Sequence, residues 1–590
     1  MISARRVLPA AALVAALLSQ GAAAQTVPPV GSGITSGGGP GSDIGESIAS
    51  NLFSDVVVVV GTFEQTATFG STSVTSADAP AARSDAFVVA YGSGGAALWA
   101  RRMGTGVFND FGAGVAISPP YVADPGSVYV SGFFTGVATF DGGANPTLSL
   151  TTRNDFDAFL AKYSPEGDLL WVQQAGGPQQ DTGRGVAVDQ QGRALWTGSF
   201  AGTAMWGSGA SAVARTSAGG SDGFLARFLP DGTLDHLLTV GGDESDDLRS
   251  VATPAFGLDA VFATGTFRSV ALFGATPLQS RGLSDVAVLR LADGGGVEWV
   301  RQVGGAGNDY ARGVAYARSG HVGVGGSFEN TMLVGADVLA SAGFSDAFLA
   351  VYDEAGTEVR AFRGGGAGFD IANGVAATPI VPIATLGGDE ERPVFVLTGY
   401  VDGAGTFGAT PAPARGTDAF AAVYPFPYAD DPGAADLFLL GGTNSDRGNG
   451  ATLGYVGGTL LLTGSYRGTA AFGGSTVVSV GSSDVFVARV PLCPLYSCPV
   501  ATGEAPDTYG TTLVVAPNPS RSPFVAVRLD AATEVTVEVV DALGRMQAVL
   551  HRGALPSGET RFRPGALAPG LYVVRVRGGV EARQAFVVVR

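Results

Sequence analysis

The most constraining feature of this chain is a segment of roughly 67 residues that recurs seven times along its length. Each copy contains an aspartate followed by a short run of small, apolar and aromatic residues. Self-similarity at a fixed period indicates a repeat architecture in which every unit is one small supersecondary structure. The seven copies of this element are SDAFVVAY (84–91), DAFLAKY (157–163), SDGFLARF (221–228), SDVAVLRL (284–291), SDAFLAVY (345–352), TDAFAAVY (417–424) and SDVFVARV (483–490).

Each unit is predicted to contain four short strands. Apolar residues alternate with polar ones, β-branched and aromatic residues are frequent, and Gly, Asp and Pro separate the runs. In the unit that begins at Asp309, the predicted strands cover residues 313–316, 321–328, 346–352 and 358–362. Seven units of four antiparallel strands, with no helical period, predict an all-β protein with a seven-bladed β-propeller over residues 25–491.

The two ends of the repeat region are predicted to meet. The seventh unit stops after its third strand, at Val490. We therefore expect residues 27–36 to supply its missing fourth strand and to close the ring. Trp99, Trp171 and Trp299 occupy the fourth strand of their units, where we expect them to pack between neighbouring units. A platform for a carbohydrate is the alternative role.

Three short elements carry a family resemblance. A G-x-F element occurs at residues 198–200, 265–267 and 326–328, the S-D-A-F element recurs as above, and Leu170-Trp171 is followed by Gly176-Gly177. With these elements the chain resembles the secreted bacterial β-propeller repeat family over about residues 27–490. The resemblance implies the propeller fold. It implies no particular activity, because that family is largely defined by its repeat.

Residues 1–24 have the features of an export signal. Arg5 and Arg6 precede an apolar stretch, and Ala22 to Ala24 form a small-residue cleavage site. No later segment reaches the length of about 20 apolar residues that a membrane span needs.

The chain has two cysteines, Cys493 and Cys498, in a linker over residues 492–510. In an oxidising compartment they would form a disulfide, and two free thiols are the alternative.

Residues 511–590 differ from the rest of the chain in pattern and charge. Short apolar strands separated by Gly and Pro predict a small Ig-like β-sandwich. This segment resembles the type A sorting domain of the type IX secretion system. The resemblance implies export, removal of this domain and an extracellular or outer-cell-surface location, with the secretion machinery as partner. An ordinary accessory β-domain is the alternative. The residues that match the sorting motif are Pro517, Asn518, Pro519, Asp541, Gly544, Arg545, Gly570 and Tyr572.

The charge of the repeat region restricts its partners. Residues 25–500 contain 44 acidic and 23 basic residues, whereas residues 501–590 contain 8 and 10. Nucleic acids and anionic membranes would be repelled by such a surface, so neither is expected as a partner.

Two aspartates recur in every unit and form the first candidate site. Carboxylates grouped at one face of a propeller could bind calcium, which takes several oxygen ligands. Alternatively, each aspartate accepts hydrogen bonds from backbone N–H groups of its own turn. The first set is Asp43, Asp110, Asp181, Asp246, Asp309, Asp370 and Asp446, and the second is Asp85, Asp157, Asp222, Asp285, Asp346, Asp418 and Asp484.

The longest loops form the second candidate site. Residues 118–126, 378–393 and 425–432 exceed the usual connection length and are predicted to share the opposite face. Tyr121, Phe426 and Tyr428 in these loops could stack on a sugar or anchor a peptide. Alternatively, the loops only cover the mouth of the channel.

Catalytic motifs are not evident. The three histidines are scattered, and the sequence has no metal-ligand cluster, nucleophile elbow or phosphate-binding loop. Acidic pairs such as Asp246-Asp247 and Asp430-Asp431 could serve a glycosidase, although adjacent aspartates in turns are commonly only solvated. The sequence therefore favours an exported scaffold that binds a protein or polysaccharide. A carbohydrate-active enzyme (a glycosidase or lyase) and a structural envelope component are the alternatives.

Overall fold

The computed structural model describes most of the repeat region and part of the C-terminal segment. The predicted export signal and the two cysteines lie outside the described residues. The described ranges are 33–51, 56–77, 83–92, 94–105, 108–153, 155–207, 212–255, 259–378, 394–425, 436–454, 459–472, 475–492, 512–516, 524–529, 532–541, 546–565, 567, 570–578 and 582–588.

The described residues form strands and turns, with no helix, which confirms the predicted all-β class. Within the repeat region the strands are as follows, unit by unit. Unit 1 contains β2 (Ile44–Ser50), β3 (Val57–Glu64), β4 (Thr66–Phe69), β5 (Thr72–Thr75), β6 (Ser84–Tyr91) and β7 (Ala97–Gly104), preceded by β1 (Gly33–Gly37). Unit 2 contains β8 (Phe111–Ile117), β9 (Val128–Phe134), β10 (Val137–Phe140), β11 (Leu148–Thr151), β12 (Asp157–Tyr163) and β13 (Leu169–Gly176).

The later units repeat this order. Unit 3 contains β14 (Thr182–Val188), β15 (Ala194–Trp206), β16 (Val213–Phe228) and β17 (Leu234–Gly242); unit 4 contains β18 (Asp247–Ala252), β19 (Ala260–Phe267), β20 (Val270–Phe273), β21 (Thr276–Gln279), β22 (Asp285–Ala292) and β23 (Val297–Gly305). Unit 5 contains β24 (Asp309–Ala317), β25 (His321–Phe328), β26 (Thr331–Val334), β27 (Asp337–Ala340), β28 (Asp346–Asp353) and β29 (Glu358–Gly366). Unit 6 contains β30 (Ile371–Ala377), β31 (Val394–Phe407), β32 (Thr410–Pro425) and β33 (Asp436–Gly442); unit 7 contains β34 (Arg447–Leu453), β35 (Thr459–Tyr466), β36 (Thr469–Phe472), β37 (Ser475–Val478) and β38 (Asp484–Pro491).

Units 1 to 6 each contain four long antiparallel strands, and unit 7 contains three, β34, β35 and β38. In unit 5 they are β24, β25, β28 and β29, and each strand pairs with the next. We refer to the four long strands of a unit as its first to fourth strands.

A short hairpin between the second and third strands was not predicted. In unit 2 it consists of β10 and β11, and β10 pairs with β7, the fourth strand of the unit before it. Ala138 and Phe140 alternate with exposed or half-buried residues and are buried against that neighbour. In units 3 and 6 the hairpin is continuous with the second and third strands. These hairpins join adjacent units by backbone hydrogen bonds.

The first strands of the seven units lie next to one another in cyclic order. β2 contacts β8, and the sequence of contacts continues through β14, β18, β24, β30 and β34 back to β2. In addition, β1 pairs antiparallel with β38, from Gly33 opposite Arg489 to Gly37 opposite Val485. The predicted pairing of the N-terminal segment with the last unit is therefore confirmed for residues 33–36.

The predicted role of the tryptophans between units is also confirmed. The indole N–H of Trp99 donates a hydrogen bond of 2.9 Å to the Pro165 carbonyl of the next unit, and Trp99 stacks on Tyr163 with ring centroids 6.4 Å apart. Trp171 and Trp299 donate in the same way to the Pro230 and Glu354 carbonyls. Each indole thus closes the contact between its own unit and the third-to-fourth strand turn of the following unit.

The described C-terminal residues form two further sheets. One has the order β39 (Thr512–Ala516), β40 (Phe524–Leu529) and β43 (Gly558–Phe562). The other has the order β42 (Met546–Leu555), β41 (Thr533–Asp541), β44 (Gly570–Gly578) and β45 (Ala582–Val588). Valines of both sheets, including Val527, Val537 and Val574, share one buried cluster. Across all the residues that the structure describes, no helix has the length and apolar character needed to span a bilayer.

Candidate functional site

The predicted ligand-face residues are only partly described. Tyr121 is half-buried, and its hydroxyl donates a hydrogen bond to the Ala255 carbonyl of another unit. Its hydroxyl thus already contributes to a contact between units. Phe426 and Tyr428 lie outside the described residues, as do Pro517, Asn518, Pro519, Gly544 and Arg545 of the C-terminal motif.

The two sets of repeated aspartates are buried rather than displayed on a face. All fourteen are at most 7% exposed. Each aspartate of the first set lies beside one of the second set from the preceding unit. The pairs are Asp43 and Asp484, Asp110 and Asp85, Asp181 and Asp157, Asp246 and Asp222, Asp309 and Asp285, Asp370 and Asp346, and Asp446 and Asp418.

Asp181 shows what the first set of aspartates does. Its Oδ2 accepts a hydrogen bond of 2.6 Å from the backbone N–H of Gly177, and its Oδ1 accepts one of 3.1 Å from Ala201. Its own N–H donates to the Phe156 carbonyl of the preceding unit. This is the backbone-binding role that the alternative to a cation site predicts. Among the described residues, no group of three or more Asp, Glu, His or Cys side chains could hold a metal ion.

Burial raises the pKa of these carboxyl groups. The pKa of Asp43, Asp110, Asp181 and Asp309 is raised to about 7, mainly because burial disfavours the charged form. The backbone hydrogen bonds oppose this shift, and the neighbouring aspartate of each pair adds to it. The main role of these pairs is therefore structural. Their protonation state changes near neutral pH.

A β-bulge interrupts the first strand of every unit at the same place. In β14, for example, Gly183 pairs with Gly198 and the register then shifts before Val186 pairs with Trp196. Comparable shifts occur in β2, β8, β18, β24, β30 and β34. A bulge leaves a residue unpaired and turns its side chain to a new direction. The position at the bulge is three residues after the first aspartate of the unit, and we call it the bulge position.

The bulge positions line a cavity in the middle of the ring of first strands. Its volume is about 670 Å³, and all seven first strands contribute to its wall. We call it the central channel. The residues at the seven bulge positions are Glu46, Ala113, Arg184, Arg249, Arg312, Asn373 and Asn449.

The central channel is rich in positive charge. Its charged lining residues are five arginines and one glutamate, although the whole chain has a net charge of −17. Arg184, Arg249 and Arg312 come from the bulge positions of three consecutive units. Arg249 is neutralised by Asp247, with its Nε 2.7 Å from the carboxylate. The positive charge of the channel therefore comes mainly from the other arginines.

Arg184, Arg312 and Arg447 keep their guanidinium groups available. No ion pair or hydrogen bond to these three groups occurs within the part of the chain that the structure describes. Arg184 lies over the Phe133 ring at 5.1 Å, and Arg447 lies over Tyr400 at 4.8 Å. The Nε of Arg312 is buried without a hydrogen-bond partner.

The pKa values in the channel reflect this crowding. Burial, together with repulsion from Arg249, lowers the pKa of Arg184 to about 10. Burial likewise lowers the pKa of Arg312 and raises that of Glu46 to about 7, although Arg184, Arg312 and Arg447 oppose the shift of Glu46. Unpaired like charges in a confined space raise the free energy of the folded protein. An anion bound in the channel would reduce this cost.

Two aspartates considered for glycosidase chemistry have other roles in the structure. The Asp246 carboxylate accepts hydrogen bonds from the backbone N–H groups of Gly242 and Arg268. Its neighbour Asp247 pairs with Arg249. Asp430 and Asp431 lie outside the described residues.

The central channel was missed by the sequence reasoning, although the sequence contained a signal. Within the repeat, the aspartate and the apolar residue five positions later recur, whereas the residue between them at the bulge position changes from acidic to basic, amide or small. A position that varies inside an otherwise regular strand points away from a purely structural role. That the side chain at this position faces the channel could not be known without the register shift.

Comparison with known proteins identifies part of the repeat. Residues 170–199 match the family model described as Beta-propeller repeat (SBBP). The matched stretch begins at Leu170 in β13 and ends at Ser199 in β15, so it includes the Gly-Gly element and the first strand of unit 3. No curated protein shows a significant match to the chain. The chain is therefore a β-propeller-type repeat protein with an all-β fold.

Proposed function

We propose that this protein is an exported, seven-bladed β-propeller that binds a ligand in its central channel. The variation at the bulge positions carries the proposal. Residues that only build a blade recur in every unit, but the seven bulge positions carry acidic, basic, amide and small side chains. Binding sites on repeat scaffolds are made by such departures from the repeat.

The blade count is supported by contacts around the ring. Seven first strands meet in cyclic order, and β1 joins β38 as the fourth strand of the last unit. The carboxyl pair of Asp43 and Asp484 joins the first and last units in the same way as the other six pairs join their neighbours. A shared geometry at all seven junctions is what a closed propeller requires.

We further propose that residues 1–24 direct export and that residues 511–590 form an Ig-like sorting domain of the type IX system. In the described part of this domain, two residues of the sorting motif, Asp541 and Tyr572, lie opposite each other on paired strands. The two sheets and their shared valine cluster support a sandwich. The mature propeller would then reside outside the cell or on its outer surface, with Cys493 and Cys498 joined as a disulfide.

A secretion assay tests the delivery part of this proposal. In a host that has the type IX machinery, we expect the full chain to reach the medium or cell surface with residues 511–590 removed. Replacing Tyr572, which is buried in the sandwich, by Ala should leave the protein inside the outer membrane. Equal release of a chain that ends at residue 510 would contradict the sorting role.

A binding screen with a channel-filling variant tests the central proposal. We would screen the protein against arrays of glycans and of surface proteins. Ala113→Trp places a large side chain at a bulge position and should abolish a specific signal. Ala214→Trp is the matched control, because Ala214 is exposed on β16 outside the channel.

The outcomes separate the three functional classes. A signal that both tryptophan variants retain would place the binding site elsewhere. Turnover of an array glycan would favour the carbohydrate-active enzyme, and the absence of any ligand would favour a structural envelope component.

A further inference from the structure

We propose that the central channel binds a small ligand with two or more anionic oxygens, carboxylate or phosphate, through Arg184, Arg312 and Arg447. This inference rests on the proposed binding function and adds the class of ligand. It follows from the charge, the available donors, the size and the wall of the channel.

The charge of the channel is opposite in sign to the net charge of the chain. The chain is strongly acidic, so random placement would make an arginine-rich interior surface uncommon. Three consecutive units nevertheless place Arg184, Arg249 and Arg312 at the bulge position. A concave surface of one sign concentrates ions of the opposite sign, because its low-dielectric walls focus the field.

The guanidinium groups of Arg184, Arg312 and Arg447 form no hydrogen bond within the described part of the chain. The guanidinium group of Arg249 already forms an ion pair with Asp247. No described carboxylate forms an ion pair with Arg184, Arg312 or Arg447. A guanidinium group offers a planar set of N–H donors that matches a carboxylate or phosphate in two hydrogen bonds. Three such groups that face one cavity therefore suit a ligand with several anionic oxygens.

The size of the channel and the side chains of its wall suit a small ligand. A cavity of about 670 Å³ is in the range that holds a small molecule or a few sugar rings, and it is too small for a folded partner. Phe111 also lines it, and its ring stacks on Phe133 at 4.7 Å. Aromatic rings beside cationic donors provide an apolar surface for the body of the ligand.

Glu46 is the only carboxylate among the described residues that line the channel. Its ionised form interacts favourably with Arg184, Arg312 and Arg447. In the absence of a ligand it supplies a partial counter-charge. An incoming anion would compete with it, so protonation of Glu46 should favour binding.

Calorimetric titration of the full chain at low ionic strength tests the inference. The probes are trigalacturonate, which carries three carboxylates, maltotriose, a neutral trisaccharide of the same ring number, and inorganic phosphate. We expect trigalacturonate or phosphate to bind, with weakening as salt is added, and maltotriose not to bind. Trigalacturonate alone would identify carboxylates as the recognised group, and phosphate alone would identify phosphate.

Arginine variants test whether anions bind in the channel. Arg312→Gln should weaken anion binding about tenfold or more, because a charged donor is replaced by a neutral one. Arg312 forms no described ion pair, so this variant should keep its fold, as thermal unfolding would verify. Arg215→Gln removes the same charge from an exposed position on β16 and should bind as the wild type does.

Glu46→Gln gives a test that does not depend on loss of binding. It removes the competing carboxylate and should tighten binding of trigalacturonate about threefold or more at pH 8. In the wild type, binding should tighten between pH 8 and pH 6, because the pKa of Glu46 is about 7. Glu46→Gln should abolish this pH dependence. Trigalacturonate suits this comparison because its carboxylates stay ionised throughout, whereas phosphate itself titrates in this range.

Several results would overturn the inference. These are equal binding of maltotriose, unchanged affinity in Arg312→Gln, unchanged or weaker affinity in Glu46→Gln, and no binding of either anion at millimolar concentration. Binding of a neutral ligand from the array that is abolished by Ala113→Trp and unchanged by Arg312→Gln would support the proposed binding function. That result would contradict only the anionic class of ligand.

Discussion

At the residue scale, repeated residues are explained by contacts that recur between units. The tryptophan of the fourth strand needs a glycine in the turn that covers it. Gly167 has a φ of +86°, and a Cβ there would lie 2.5 Å from Cδ2 of Trp99. Gly232 and Gly356 have the same relation to Trp171 and Trp299. The turn glycine is thus required both by backbone conformation and by the indole above it.

We expect Gly167→Ala to destabilise the protein by about 1–3 kcal/mol, because alanine is strained at this φ and its methyl group would displace Trp99. Urea unfolding followed by tryptophan fluorescence would measure the change. Gly94→Ala is the control, since Gly94 has no atom within 4 Å of an added Cβ and no positive φ. Equal effects of the two substitutions would contradict the role assigned to Gly167.

At the element scale, the hairpins that join the units are the main addition to the predicted strands. Their short strands alternate a buried small residue and a buried aromatic or apolar residue, as Ala138 and Phe140 do in β10. The pattern is visible in the sequence. Strands of four residues are, however, too short to be distinguished from a turn by periodicity, so the hairpins were missed. Their importance follows from their pairing with a different unit.

Phe140→Ala should cost about 3–5 kcal/mol, because it opens a cavity at a junction between units. The Phe140 side chain is fully buried and packs edge-to-face on Phe159 with ring centroids 5.0 Å apart. Chemical denaturation would measure the loss. Leu148→Ala in the partner strand β11 is the matched control, because Leu148 is 40% exposed and should change stability little. A similar loss of stability in both variants would contradict the role of Phe140 at the junction between units.

Removal of β1 tests closure of the ring. A chain that starts at residue 38 lacks β1 and leaves the backbone groups of β38 unpaired on one side. We expect its thermal unfolding midpoint to fall by several degrees, because an edge strand and its hydrogen bonds are lost. A chain that starts at residue 33 keeps β1 and is the control. Identical midpoints would show that β1 does not close the structure.

At the scale of the whole molecule, carboxyl pairs at all seven junctions make stability depend on pH. Burial raises the pKa of the first-set aspartates from the ordinary aspartate value to between about 6 and about 7. Between pH 4 and pH 7 the folded protein therefore binds more protons than the unfolded chain. The stabilisation is complete at low pH and is lost as pH rises through the folded-state pKa values.

We expect the thermal midpoint to be higher at pH 5 than at pH 8. Repulsion between surface carboxylates in this acidic protein would also weaken in acid. The measurement should therefore be repeated in 1 M salt, where the Debye length is about 3 Å and exposed charges interact little. Buried pairs are screened much less, and their contribution should persist. A pH effect that disappears in high salt would assign it to the surface instead.

Prediction from sequence succeeded for the long strands and for two kinds of contact between units. The predicted strand 321–328 coincides with β25, and the predicted pairing of residues 27–36 with the seventh unit is confirmed for residues 33–36. The tryptophans also pack between units as expected. The aspartates were recognised as repeated but not as buried pairs, because each pair combines residues of two units. The central channel was not anticipated for a similar reason.

The sequence by itself determined that this chain repeats, which residues form its long strands and where its turns fall. These properties depend on apolar alternation and on Gly, Asp and Pro at nearby positions, so they can be read along the chain. Only the tertiary structure decided that carboxyl groups are paired at the junctions and that a bulge turns Arg184, Arg249 and Arg312 into one channel. The reason is physical: burial, charge proximity and side-chain direction depend on the register between strands and on the meeting of distant units.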